Sequence, residues 1–211
     1  EDTYLDLFYL GLDSINFKNL SNGVFCNDAF LRIEKCLFRN IIADTLYDSL
    51  VLVNGAGVNI QNPNVGSAQI KGFGSTASKE NFTNCEIGIN VADGPATIWR
   101  NKCSKVKEAV RITTNNNDVY TIYNNYFNVD HIGINMLHCD DAGIISIVRD
   151  TINVGDASIN ATGNVGINVV MMGNTTSDSS VNISANVINS HGAAAGISCN
   201  TLRKGQMIDN H

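Results

Sequence analysis

The sequence is short of charge, of proline and of long apolar runs, and each shortage removes a class of protein. Charged residues make up 16% of the 211, the formal net charge is −6, and no run of lysine or arginine occurs. A nucleic-acid binder needs a basic stripe to displace counterions from phosphates, so the reading is against nucleic acid as a partner. No apolar stretch approaches the roughly 20 residues of a membrane-spanning helix, so no membrane span is expected. The opening EDTYLDLFYLGLD has neither the charged n-region nor the apolar h-region of a signal peptide, which leads to the expectation of a processed chain or an excerpt. Six cysteines, Cys26, Cys36, Cys85, Cys103, Cys139 and Cys199, contain no CxxC pair. Without metal-ligand spacing no metal site is assigned, and buried free thiols are expected ahead of disulfides.

What is plentiful is Asn, Gly, Ile, Val, Thr and Ser, which favours strands and turns over helices. These residues recur with a period. INFKN at Ile15, CLFRN at Cys36, VNIQN at Val58, ENFTN at Glu80, NKCSK at Asn101, NYFNV at Asn125, DTINV at Asp150, NVINS at Asn186 and a last start at Asn210 stand 21, 22, 22, 21, 24, 25, 36 and 24 residues apart. A small residue follows eight positions after several starts, at Gly23, Gly66, Gly88, Ala109 and Gly133. A second apolar strand comes just after it (GVF, GINV, AVRI, GINM). A third precedes the next start: FLRI at Phe30, LVLV at Leu50, ATIW at Ala96, VYTI at Val119, IISIV at Ile144 and VNI at Val181.

Three short strands per 21–25 residues predict an all-β fold: a right-handed parallel β-helix of about eight coils, spanning 1–211 as a single domain. The leucine frame of a leucine-rich repeat is missing, and no helical period of 3.6 is sustained. The third position of each unit, Phe17, Phe38, Ile60, Phe82, Cys103, Phe127, Ile152 and Ile188, is expected to form an inward row with about 4.8 Å between neighbours. The fifth position holds Asn19, Asn40, Asn62 and Asn84 before giving way to Lys105 and Val129, and predicts an asparagine ladder at a tight bend. Only 155–166 and 171–180 are read as lengthening the coils.

On Asn19, Asn40, Asn62, Asn84 and the Phe/Ile row, the chain resembles the pectate lyase-like superfamily of right-handed parallel β-helices, as architecture from about Leu12 to His211. The resemblance implies a fold. That superfamily holds polysaccharide lyases, glycoside hydrolases, tailspikes, adhesins and structural shafts, so function has to be read from sites.

Pieces of a polygalacturonase-like pattern are present in the family's order: Asn128-Val129-Asp130, Asp140-Asp141, Ser190-His191-Gly192 and Arg203-Lys204. The repeat places Asp140 and Asp141 late in one coil and His191 early in another, at different corners, so these three remain candidates and no catalytic residue is assigned. A lyase would bring calcium as a cofactor, held by acids such as Asp93, Asp118, Asp140 and Asp141, with Arg111 or Arg149 as base. Acidic residues in turns are commonly self-bonded turn formers, so no cofactor is assigned. No nucleophile with a neighbouring base and no phosphate loop is present. Two residues past the small corner stand Asn90, Arg111, Asn135 and Asn168, read as an outward row of hydrogen-bonding side chains suited to a linear polysaccharide.

The function expected is that of a structural or adhesive, glycan-binding segment of a larger secreted or surface-displayed bacterial protein, extracellular or on the cell surface. Neighbouring domains or subunits are expected to stack on its ends. A carbohydrate-active enzyme is the alternative.

Overall fold

In the computed structural model the described residues are 3–8, 22–27, 29–42, 55–61, 68–74, 79–114, 118–139, 143–155, 164–170, 180–191, 194–200 and 205–211. Among them stand strands β1 (Thr3–Phe8), β2 (Asn22–Asn27), β3 (Ala29–Glu34), β4 (Phe38–Ile41), β5 (Ala56–Gln61), β6 (Ala68–Lys71), β7 (Phe82–Ala92), β8 (Ala96–Trp99) and β9 (Lys102–Thr113). They continue with β10 (Val119–Tyr123), β11 (Tyr126–Leu137), β12 (Ile144–Val148), β13 (Thr151–Val154), β14 (Asn164–Val170), β15 (Ser180–Ser184), β16 (Val187–Ser190), β17 (Ala194–Asn200) and β18 (Gly205–Ile208). No helix occurs among the described residues.

The architecture is all-β, with every pairing parallel, as a β-solenoid requires. One sheet runs β1-β3-β6-β8-β10-β12-β15-β18; the other holds the remaining ten strands. FLRI, ATIW, VYTI, IISIV and VNI all fall in the first sheet. Its inward row is Ile33, Ile70, Ile98, Ile122, Ile147 and Ile183, all buried and each in register with the next. The alternation of β-branched and polar residues sets which face turns inward, since a slip of one residue would send every isoleucine to the outside.

In the second sheet the inward row is Phe38, Phe82, Cys103, Phe127, Ile152 and Ile188. The rings of Phe38 and Phe82 stack with centroids 5.0 Å apart and 7° between planes. Beside this row runs a column of small residues, Gly57, Gly88 and Ala109 among them. A Cβ on Gly57 would come within 2.7 Å of Phe82 Cδ1, and one on Gly88 within 2.6 Å of the Ala109 carbonyl oxygen, so little more than hydrogen fits.

Two expectations need correcting. Phe38 pairs directly with Phe82, and Asn40 bonds Asn84, across 44 residues. Val58 therefore does not head a unit of its own between them. Val58, Asn59 and Ile60 pair instead with Ile89, Asn90 and Val91, and Asn59 and Asn90 are 31 residues apart. The segment AGVNIQ matches IGINVA residue for residue in alternation, and alternation alone does not say which of two similar strands is the partner. The two units read at Cys36 and Val58 are one long unit, lengthened between β4 and β5 over 42–55. The first and second strands of a unit also run together, giving strands of 11, 12 and 12 residues in β7, β9 and β11. Phe17, Asn19, Asn62, Gly66 and LVLV lie outside the described residues.

The second correction moves the ladder. Asn40 and Asn84 both sit at left-handed φ of 55° and share a bond of 2.8 Å, but on the exposed side. The buried ladder stands at the first position of the repeat: Asn101, Asn125, Asp150, Asn186 and Asn210. Oδ1 of Asn125 accepts from the Asn101 backbone N–H (2.9 Å) and side-chain amide (3.2 Å). Asp150 does the same for Asn125 at 2.7 and 2.9 Å, and Asn210 for Asn186 at 3.1 and 2.9 Å. Oδ1 of Asn186 takes the Asp150 N–H at 2.9 Å. The residue ahead of each rung, Arg100, Asn124, Arg149, Ala185 or Asp209, is left-handed with φ between 52° and 59°. This sharp turn directs the next N–H away from the strand ladder, and the neighbouring Oδ1 receives it. The spacings of 24, 25, 36 and 24 are those of the repeat starts.

None of the six cysteines is in a disulfide, and all but Cys199 are buried. Burial pushes the Cys85 thiol up to about 11, so it stays a neutral apolar filler.

Replacing Asn125 with Ala removes an acceptor from two buried donors and should destabilise the fold by about 1–3 kcal/mol. Asn189→Ala, at an exposed amide bonded to Asn153, should stay within about 0.5 kcal/mol of wild type. Denaturant melts of the two variants check this, and equal losses would remove the ladder from its structural role.

Candidate functional site

Sequence reasoning offered a row and a scatter of acids. The structure assembles the row: Asn90 in β7 pairs with Arg111 in β9, Arg111 with Asn135 in β11, and Asn135 with Asn168 in β14, with Asn59 added below Asn90. It does not leave the row open. Asn59, Asn90 and Asn135 are 0, 2 and 5% exposed. Asn90 donates to Asn59 at 2.9 Å, and Asn168 to Asn135 at 3.0 Å. Glu108 serves the middle: it takes two bonds from the Arg111 guanidinium (2.8 and 2.5 Å) and one from the Asn135 amide (3.1 Å). Burial raises the Glu108 pKa, but the Arg111 bonds and charge and the Asn135 bond outweigh it and hold the carboxyl below its usual value. Asn59, Asn90 and Asn135 are buried and bonded within the row, while Arg111 and Asn168 keep a half-buried outer side, so the row is a polar seam that is open only in part.

The acids divide. Asp140 and Asp141 lie outside the described residues. Asp93 is in a left-handed turn, and Asp118 is pushed up first by burial and then by the charge of Asp93. Among the described residues no three His, Cys, Asp or Glu side chains stand together to hold a metal.

His191 lines a cleft of about 410 Å³ together with Lys105, Asn128, Val129, Asp130, Asn153 and Gly155. The main chain builds the cleft by a local irregularity. Lys105 is a left-handed kink in β9 (φ 53°), and β11 opposes it with register shifts on either side of Val129. Gly155 N–H then bonds the Val129 carbonyl, and His191 N–H the Val154 carbonyl, both at 2.9 Å. Asp130, Gly155 and His191 thus follow the same place in three successive rungs. Gly155 (φ 84°) has no side chain there, and a Cβ would stand 2.8 Å from the His191 carbonyl oxygen. Gly155 lines the cleft between Asp130 and His191, both exposed.

The walls combine a cation, a carboxylate, an imidazole and two amides, so the cleft both donates and accepts hydrogen bonds. Motif pieces Asn128-Val129-Asp130 and Ser190-His191 meet here. Lys105, Asn153 and Gly155 were not singled out as site residues, although one signal was present: Lys105 is where the fifth-position asparagines stop.

Comparison with known proteins adds no relative: no family model, no curated protein and no solved structure matches the chain. Among the described residues no helix is long and apolar enough to cross a membrane.

If the seam is structural, Arg111 and Glu108 are energetically coupled. Arg111→Met alone should cost about 1–3 kcal/mol by leaving the Glu108 carboxylate without its main partner. Adding Glu108→Gln should restore part of the loss, with a coupling of about 0.5–3 kcal/mol in a double-mutant cycle of denaturant melts. Strict additivity would show the pair to be independent.

Proposed function

We propose that the chain is a right-handed parallel β-helix of about eight coils, akin to the pectate lyase-like superfamily, with a structural or adhesive role and a polysaccharide-binding cleft around Gly155. The observation that carries this reading is the make-up of the cleft, where Lys105, Asn128, Asp130, Asn153 and His191 surround a residue without a side chain. Sugar hydroxyls donate and accept equally, and a wall that mixes both capacities suits them. Lys105, Asn128, Val129, Asp130 and Asn153 are strand positions of stacked rungs, and Gly155 and His191 directly follow strands, so little order has to be gained on binding. A secreted or surface-displayed setting, with neighbouring domains or subunits stacked on the helix, goes with such a role.

A carbohydrate-active enzyme is the second reading. One observation favours it: Asn128, Asp130 and His191, from two separate motif pieces, line a single cleft. Glycoside hydrolysis by the common route needs two carboxylates flanking the bond. Asp130 is the single carboxylate among the described lining residues, which ranks binding above turnover.

The test is binding of the purified chain to immobilised acidic and neutral polysaccharides, with His191→Ala and Lys105→Met as variants. Binding should be measurable, each variant should weaken it at least tenfold, about 1.4 kcal/mol, and no reducing ends should be released. Release of sugar products that Asp130→Asn abolishes would replace binding by catalysis. Failure to bind any polymer in the set would sink the proposal.

A further inference from the structure

One rung of the buried ladder differs chemically from the rest. At Asn101, Asn125, Asn186 and Asn210 the side-chain Nδ2 donates to a carbonyl of the inward isoleucine row: Ile70 (3.0 Å), Ile98 (3.1 Å), Ile147 (3.0 Å) and Ile183 (2.9 Å) respectively. These isoleucines are in register with Ile122, which takes the corresponding place for position 150. Asp150 has an oxygen where the asparagines have a nitrogen. Its Oδ1 does the usual work, accepting from the Asn125 N–H and amide, but its Oδ2 is buried and has no hydrogen-bond partner. An ionised Oδ2 there would put negative charge against the negative end of a carbonyl dipole, out of reach of water. A protonated Oδ2 reproduces what the asparagine amide does in the other rungs.

We infer that Asp150 is held in the folded chain as the neutral carboxylic acid, its Oδ2–H donating to the Ile122 carbonyl, so that this rung of the ladder is sensitive to pH. The surroundings agree. Asp150 is 1% exposed. Asn125 faces it from one rung and Asn186 from the other through its own Oδ1. Among the described residues no charged group acts on it, and Arg149, its neighbour in the chain, is exposed. Burial raises the carboxyl from 3.8 to about 7 against the two opposing bonds from Asn125.

The sign follows from linkage. A group that binds its proton more tightly when folded lends its full stability below its unfolded pKa and loses it as pH rises through the folded one. The stability Asp150 provides is therefore complete below about pH 4 and gone above about pH 7. Asp150→Asn keeps the shape and supplies a permanent donor. Denaturant melts of the intact chain and of Asp150→Asn between pH 4 and pH 8 should diverge, the wild-type folding constant falling about a thousandfold relative to the variant. Losses in acid from Glu34 and Glu108, both held below their usual values by basic partners, are common to the two proteins and cancel in that ratio. Carbon NMR of the Asp150 carboxyl in the wild-type chain reads the same event directly and does not depend on the variant folding. Parallel stability curves for the two proteins, or a carboxyl that titrates in the ordinary range near 3.8, would overturn the inference.

Discussion

The rest of the structure depends on a single oxygen repeated along the corner of the sheets. A chain that turns through a left-handed residue such as Arg100 or Asn124 directs the following N–H into a space where no strand runs. An unpaired N–H buried there would carry the full desolvation penalty of the group. Oδ1 of the asparagine in the next rung removes that penalty, and its own amide hydrogen in turn satisfies a carbonyl of the isoleucine row. Asparagine is suited to this because it holds an acceptor and a donor on one rigid plane. With the corner fixed, the distance from corner to strand is fixed too. The stacking of Ile98 on Ile122 and of Phe82 on Cys103 follows.

Much of this was legible in the sequence, and the residues show why the rest was not. From Asn101 onward the repeat starts coincide with the ladder rungs, because there the corner residue, the inward residue two places on and the third strand recur together. Between Cys36 and Glu80 one unit was read as two. VNIQ resembles ENFT at one offset and INVA at another, and only contacts with the neighbouring rungs, such as Asn59 with Asn90, decide between them. The ladder was assigned to the fifth position since four asparagines recur there. Asn40 and Asn84 do bond, but on the surface, as residues adopting a left-handed bend that asparagine tolerates well. The left-handed residues ahead of the buried rungs are Arg, Asn, Ala and Asp, with no glycine to announce them.

The candidate site shows the same division. The row Asn90, Arg111, Asn135 and Asn168 follows the period, and the burial of Asn90 and Asn135 and the bonds of Glu108 to its middle do not show in that period. The cleft is the reverse case. It arises where the period fails, at the Lys105 kink, the register shifts around Val129 and the bare Gly155. Periodic positions in a stacked sheet tend to be satisfied by their own copies, and reactive capacity is left over at the irregular ones. His191 and Asp130 line a common opening with Gly155 between them in the stack of rungs.

The ladder also has a direction. Each N–H and amide of a lower-numbered rung points to the oxygen of the next higher one, from Asn101 to Asn125 and from Asn186 to Asn210, and the strands beside it are all parallel. The stack therefore has a donor sense and an acceptor sense along its axis, and turning it end over end does not restore it. A two-fold arrangement would set donor against donor at the corner. The rungs are related to one another head to tail, by translation along the axis, and not by a two-fold turn.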